Sequence, residues 1–273
     1  MREKAYENSS DYITSKMKQF KLVDMKEQYP DLIAQARESR MDYEDFLLRL
    51  IQIEDEGKRS RRSSMLTAGA HFEALKYLED IDYGFNPSID KTKIDELASL
   101  DFLEAAENVL IIGPPGVGKS MIATGIGVKA CAAGKRVLFV NAKDLLDRLC
   151  ESAEAGTLKQ SLKALDKIRL LIIDELSYIK MDKQRESLFF QVIRGRYEKN
   201  SLIITTNLPV GRWDELFTGT LAATAILDRV LHHCHVISIS GESYRIKNKN
   251  RKNSVKSERD QNEKIKYSPD KGV

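Results

Sequence analysis

The chain has 273 residues, 42% of them hydrophobic and 31% charged, with a net charge of +3, enough for one large domain and a small one. No apolar run approaches the ~20 residues of a membrane span, and Met1-Arg2-Glu3-Lys4-Ala5-Tyr6-Glu7 lacks the apolar core of a signal peptide, so a cytoplasmic chain without a membrane partner is expected. Cys131, Cys150 and Cys234 are few, odd in number and far apart, which points to reduced thiols rather than a disulfide framework.

Residues 1–64 are blocky in charge. Lys16, Lys18, Lys21 and Lys26 sit among Ile13, Met17, Phe20, Leu22 and Met25. Acidic residues then flank Phe46, Leu47, Leu50 and Ile51, and Lys58-Arg59-Ser60-Arg61-Arg62-Ser63-Ser64 follows as a basic linker or the basic end of a helix. Two or three short amphipathic helices fit this stretch. On charge alone it reads equally as a solvated helical bundle or as a module that grips nucleic acid or a partner. Residues 71–78 fit either a helix or an extended segment, and Ile89 to Ala106 has helical spacing.

From residue 108 strands and helices alternate. The apolar runs Val109–Ile112, Val137–Val140, Leu170–Ile173, Leu202–Ile204 and Val236–Ile239 lack the alternation of a half-exposed strand. They predict an α/β fold: a five-stranded parallel sheet sandwiched by helices. Residues 65–246 form this domain. The tail, 247–273, is basic and nearly devoid of apolar residues, and is expected to be disordered.

The first strand runs into Gly113-Pro114-Pro115-Gly116-Val117-Gly118-Lys119-Ser120, with Met121 next in the helix that follows. Strand, G-x-x-x-x-G-K-[ST] loop and helix in that order make a P-loop. Its N–H groups form a nest for phosphate at a helix N-terminus. Lys119 would reach the β- and γ-phosphates of ATP, and the Ser120 hydroxyl would ligate Mg²⁺. Some 50 residues on, Leu170-Leu171-Ile172-Ile173-Asp174-Glu175 has the Walker B pattern. Asp174 would hold Mg²⁺ beside Ser120, and Glu175 would polarise the attacking water. Asn207, after Thr205-Thr206 at another strand end, lies where ligands of open α/β sheets bind and can touch the γ-phosphate or orient water. Arg229 is a candidate to stabilise transition-state charge from a neighbouring subunit, with Arg194, Arg196 and Arg212 as rivals. His232-His233-Cys234-His235 is not read as a metal site: consecutive side chains diverge on a regular element, so at most two could converge, and no second ligand pair lies near in sequence.

These motifs, with Tyr77-Leu78-Glu79-Asp80-Ile81-Asp82-Tyr83, Arg196-Tyr197-Glu198, Leu227-Asp228-Arg229-Val230-Leu231-His232-His233 and Gly241-Glu242-Ser243-Tyr244-Arg245, resemble the IstB-type ATPases, helpers of insertion-sequence transposases. That family is related to the DnaC helicase loaders within the AAA+ superfamily. The resemblance covers roughly residues 10–246. It implies Walker A, Walker B and sensor roles for Lys119, Ser120, Asp174, Glu175 and Asn207, a trans arginine finger at Arg229, and a second sensor at Arg245. It also implies ATP-dependent homo-oligomers, rings or helical filaments, that bind double-stranded DNA and recruit a transposase, with the N-terminal helices helping to grip DNA. A DnaC-type helicase loader and a non-hydrolysing ATP-gated adaptor are the alternative readings. The chain departs modestly from the family, with Ser120 where Thr is commoner and Asp174-Glu175 where Asp-Asp is frequent.

Overall fold

The computed structural model describes residues 9–179 and 181–244, in two compact units, Met1–Leu66 and Thr67–Val273. The expectations for the tail and for Arg245 lie outside the described residues.

The first unit is helical: α1 Ser9–Gln19, α2 Val23–Ser39 and α3 Tyr43–Gly69, the last running three residues past the boundary between the units. The basic run at 58–64 is therefore helix. Lys58 pairs with Glu54 and Arg59 with Asp55, each one turn back, the spacing that supports a helix. Tyr29, Leu32 and Leu50 form a small core with Ile13, Met17, Met25, Ile33, Phe46 and Ile53. Leu22, which precedes α2, has no side chain able to cap it. Glu54 does so from α3: its Oε2 accepts from the Asp24 and Met25 N–H groups at 3.0 and 3.1 Å, placing a carboxylate at the positive end of the helix dipole.

In the second unit residues 71–77 are not helical and lead into a 3-10 turn, Leu78–Asp80. The helical spacing of 89–106 resolves into two helices, α4 Lys91–Ala98 and α5 Asp101–Glu104. Ser99 and Asp101 hydrogen-bond each other around Leu100, which adopts a positive φ of 69°; short polar side chains compete in this way with the helical ladder.

The sheet strands are β1 Asn108–Ile112, β2 Val137–Asn141, β3 Leu170–Asp174, β4 Ser201–Thr206 and β5 Cys234–Ser238. All pairings are parallel, in the order β2-β3-β4-β1-β5. The connecting helices are α6 Lys119–Ala132, α7 Ala142–Glu154, α8 Leu158–Asp166, α9 Lys183–Arg196 and α10 Thr220–Leu231. Residues 210–216 form a 3-10 segment. On one face Leu110, Leu171, Ile173, Leu202 and Ile204 pack with Leu145, Leu146 and Leu149 of α7, Phe189 and Ile193 of α9, and Ile226 and Val230 of α10. Fully burying each such side chain stabilises by about 1.5–3 kcal/mol. On the other face α6 lies so close that a Cβ at Gly127 would meet Ile172 Cδ1 at 2.8 Å.

One buried cation is structural. Arg196, 1% exposed, donates to the carbonyls of Leu165, Ile168, Arg169 and Ser201, tying the end of α8 to the start of β4. Burial lowers its pKa to about 10. This removes Arg196 from the rivals for a transition-state role.

Candidate functional site

Register brings the strand ends to one edge: Ile112 pairs with Thr206 and Ser238, and Asn141 with Asp174. Because β4 is inserted between β1 and β3, the residues leaving β4 stand between the glycine loop and the acidic pair.

The loop closes tightly. Gly116 and Gly118 have φ of 82° and 108°, a region closed to side-chain-bearing residues at the second value. The Tyr244 N–H donates to the Gly116 carbonyl at 2.9 Å. Lys119, 8% exposed, donates to the Gly113 carbonyl at 2.8 Å, the Pro114 carbonyl at 2.9 Å and Asn207 Oδ1 at 2.6 Å. A buried ammonium is tolerable only with such partners. The structure thus brings Lys119 and Asn207 together, and the Asn207 N–H in turn donates to Ser177 Oγ at 2.8 Å.

On the other side Ser120 Oγ donates to Asp174 Oδ1 at 2.9 Å. Asp174, 4% exposed, accepts on the same oxygen from the Thr205 hydroxyl. Thr205 Oγ1 also accepts from the Glu175 N–H at 3.0 Å. Glu175 has a positive φ of 59° and an exposed side chain, and Asn141 Nδ2 donates to its Oε2 at 3.1 Å. The left-handed turn takes the chain out of β3 just after Asp174, so the two carboxylates part: one buried against Ser120, one facing outward.

A serine hydroxyl and an aspartate oxygen in contact are the oxygen donors that Mg²⁺ prefers. The loop that folds around Lys119 at the N-terminus of the 14-residue α6 suits a polyphosphate. The residues present therefore fit Mg·ATP.

Arg229 is not brought to this cluster. Its Nη1 donates to the Ala225 carbonyl at 2.8 Å and its guanidinium lies 5.0 Å from the Phe190 ring centroid. The sequence reading passed over Asn141 and Thr205. Asn141 carries a signal, since it is polar and ends an apolar strand as Asp174 does. Thr205 carries less, because a buried threonine in a strand is ordinary.

Strand order, loop and acidic edge define a P-loop nucleotide-binding protein of the AAA+ architecture. The chain belongs to the family of IstB-like ATP binding proteins, whose family model matches residues 15–252. It is 42% identical over 218 residues to the insertion sequence IS21 putative ATP-binding protein of Pseudomonas aeruginosa, covering 80% of this chain and 82% of that one. It is 40% identical over 241 residues to the insertion sequence IS232 putative ATP-binding protein of Bacillus thuringiensis subsp. berliner, covering 88% and 96%. Among solved structures it is similar to DnaI (TM-score 0.51, 21% identity, 62% of this chain and 89% of that chain). AMPPCP-bound DnaA from Aquifex aeolicus gives a TM-score of 0.51 at 18% identity, with 61% and 51% covered. At these identities the structural likeness is one of fold. Among the described residues no helix is long and apolar enough to cross a membrane.

Proposed function

We propose that the chain is an Mg²⁺-dependent ATPase that assembles as a homo-oligomer on double-stranded DNA and recruits and stimulates the transposase of an insertion sequence. The observation that carries hydrolysis, rather than binding alone, is the division of labour at the end of β3: Asp174 is buried against Ser120, while Glu175 is turned outward and held by Asn141. The residues from Gly113 to Met121 cradle the phosphates, and Lys119 neutralises β- and γ-phosphate charge. Mg²⁺, when held by Ser120 and Asp174, would neutralise the charge that develops on the phosphate oxygens. Glu175 takes a proton from the attacking water as general base, and Asn207 sets that water's position. Arg229 acts from the adjacent subunit, which suits a guanidinium folded back on its own helix in the single chain.

The association with insertion sequences rests on the names of the relatives and on their near full-length match. DNA binding rests on the N-terminal helices, and the charge there is redistributed relative to the sequence reading. Lys58, Arg59 and Arg61 pair with Glu54, Asp55 and Asp24 inside the unit, so the exposed Lys18 and Lys21 are the cations we assign to phosphate.

Steady-state ATP turnover, measured with and without duplex DNA, tests this reading, with Lys119→Ala as the binding-deficient control. Turnover that DNA stimulates and Lys119→Ala abolishes is the expected result. ATP binding without turnover in either condition would make the chain a nucleotide-gated adaptor instead.

A further inference from the structure

The histidine run behaves differently in three dimensions from its reading as a sequence. His232 is the residue after α10 and His233 lies in the turn before β5, so neither obeys the divergence that a helix or strand imposes. Their rings lie 4.1 Å apart at the centroids. A third ligand arrives from elsewhere: Glu198, just beyond α9, in a left-handed conformation with φ of 56°. One ligand atom from each of Glu198, His232 and His233 lies within 4.8 Å of the other two, and all three side chains are exposed.

We propose that Glu198, His232 and His233 form a zinc site. Two imidazoles and one carboxylate are a donor set that zinc takes, with a further position left to water. Bonds of about 2.0–2.2 Å to a tetrahedral ion place ligand atoms roughly 3.5 Å apart. Exposed side chains reach that spacing by small rotations. A neighbouring side chain supports the assignment. The Tyr197 hydroxyl meets His232 Nδ1 at 2.9 Å, which orients the ring; in the tautomer with Nδ1–H donating to that hydroxyl, Nε2 is open to a metal, as with the outer hydrogen bonds of metal-bound histidines. The site ties the end of α9 to the junction of α10 and β5. Arg229 is in the last turn of α10, so zinc at this point fixes the helix end that carries it. The proposal does not depend on the nucleotide site, and either can fail alone.

The test uses the full chain, stripped with a chelator and kept in excess Mg²⁺ so that Ser120 and Asp174 are not offered to zinc. Zinc is titrated against a chromophoric chelator, and cobalt replaces it for absorption spectra. The expected result is one zinc per chain at micromolar affinity or tighter, with a higher thermal unfolding midpoint. Glu198→Gln and His233→Ala should each weaken binding about tenfold or more and alter the cobalt bands, whereas His71→Asn leaves both unchanged. Glu198→Gln conserves size, so it keeps the test valid if His233→Ala unfolds. Zinc uptake that survives both substitutions unaltered, or no uptake at micromolar concentration, overturns the site.

Discussion

Thr205 and Asp174 are joined across the β3–β4 boundary, and the oxygen that accepts from Thr205, Asp174 Oδ1, is the one that also accepts from Ser120. The same threonine oxygen receives the Glu175 N–H. A single hydroxyl therefore fixes both the buried carboxylate and the backbone that launches the outward one. Removing it with Thr205→Val should lower kcat about 10- to 100-fold, the equivalent of about 1.5–3 kcal/mol for a hydrogen bond to a charged group, while the Kd for ATP stays near wild type. Thr205→Ser should restore most of the rate. A fall in affinity that matches the fall in kcat would assign the residue to binding instead.

Glu175→Gln keeps the shape and the contact at Asn141 but removes the carboxylate that we propose as base. Turnover should drop by about 10²- to 10⁴-fold with nucleotide affinity retained, and ATP-bound oligomers should persist on DNA. Turnover at the wild-type rate in this variant would move the base elsewhere.

Arg229→Ala should reduce turnover on the order of 10³-fold without loss of fold, because its contacts are one helix carbonyl and one ring face. Mixed with Lys119→Ala chains, which keep the arginine but lack a working loop, the variant should recover activity that neither protein has alone. A mixture as inactive as its components would exclude action in trans.

Lys18→Gln combined with Lys21→Gln should weaken duplex DNA binding and reduce the slope of log K against log salt by about 0.9 for each phosphate no longer neutralised. An unchanged slope would return the first unit to a purely structural role.

Glu54→Ala should destabilise the first unit by about 1–3 kcal/mol, since the Asp24 and Met25 N–H groups lose their acceptor. Glu54→Gln should recover part of this. Denaturant unfolding followed by limited proteolysis between residues 9 and 66 measures it.

Much of the second unit is legible because its central strands β1, β3 and β4 are buried on both faces and its loop obeys a fixed spacing. The chemistry there dictates residue types at adjacent positions, as in Gly116, Gly118, Lys119 and Ser120. What escaped depends on contacts between segments far apart in the chain. Asn141 meets Glu175 only through the β2–β3 register. Glu54 caps α2 from thirty positions away. The basic run at 58–64 fits a linker or the basic end of a helix, and the structure makes it helix; local composition does not decide between them because it does not reveal that Glu54, Asp55 and Asp24 pair with Lys58, Arg59 and Arg61. Glu198 reaches the histidine pair through the packing of α9 beside α10, and no spacing rule within either segment foretells it.

The folded-back guanidinium of Arg229 also has an arithmetic meaning. If, as we propose, the arginine is supplied by the next copy, an open array of n chains contains n − 1 completed sites, and a closed ring contains n. Specific activity then rises with concentration and falls on dilution, and the last chain of an open array holds its ATP intact. The array would carry an unspent end, a polarity written in which terminus still holds triphosphate.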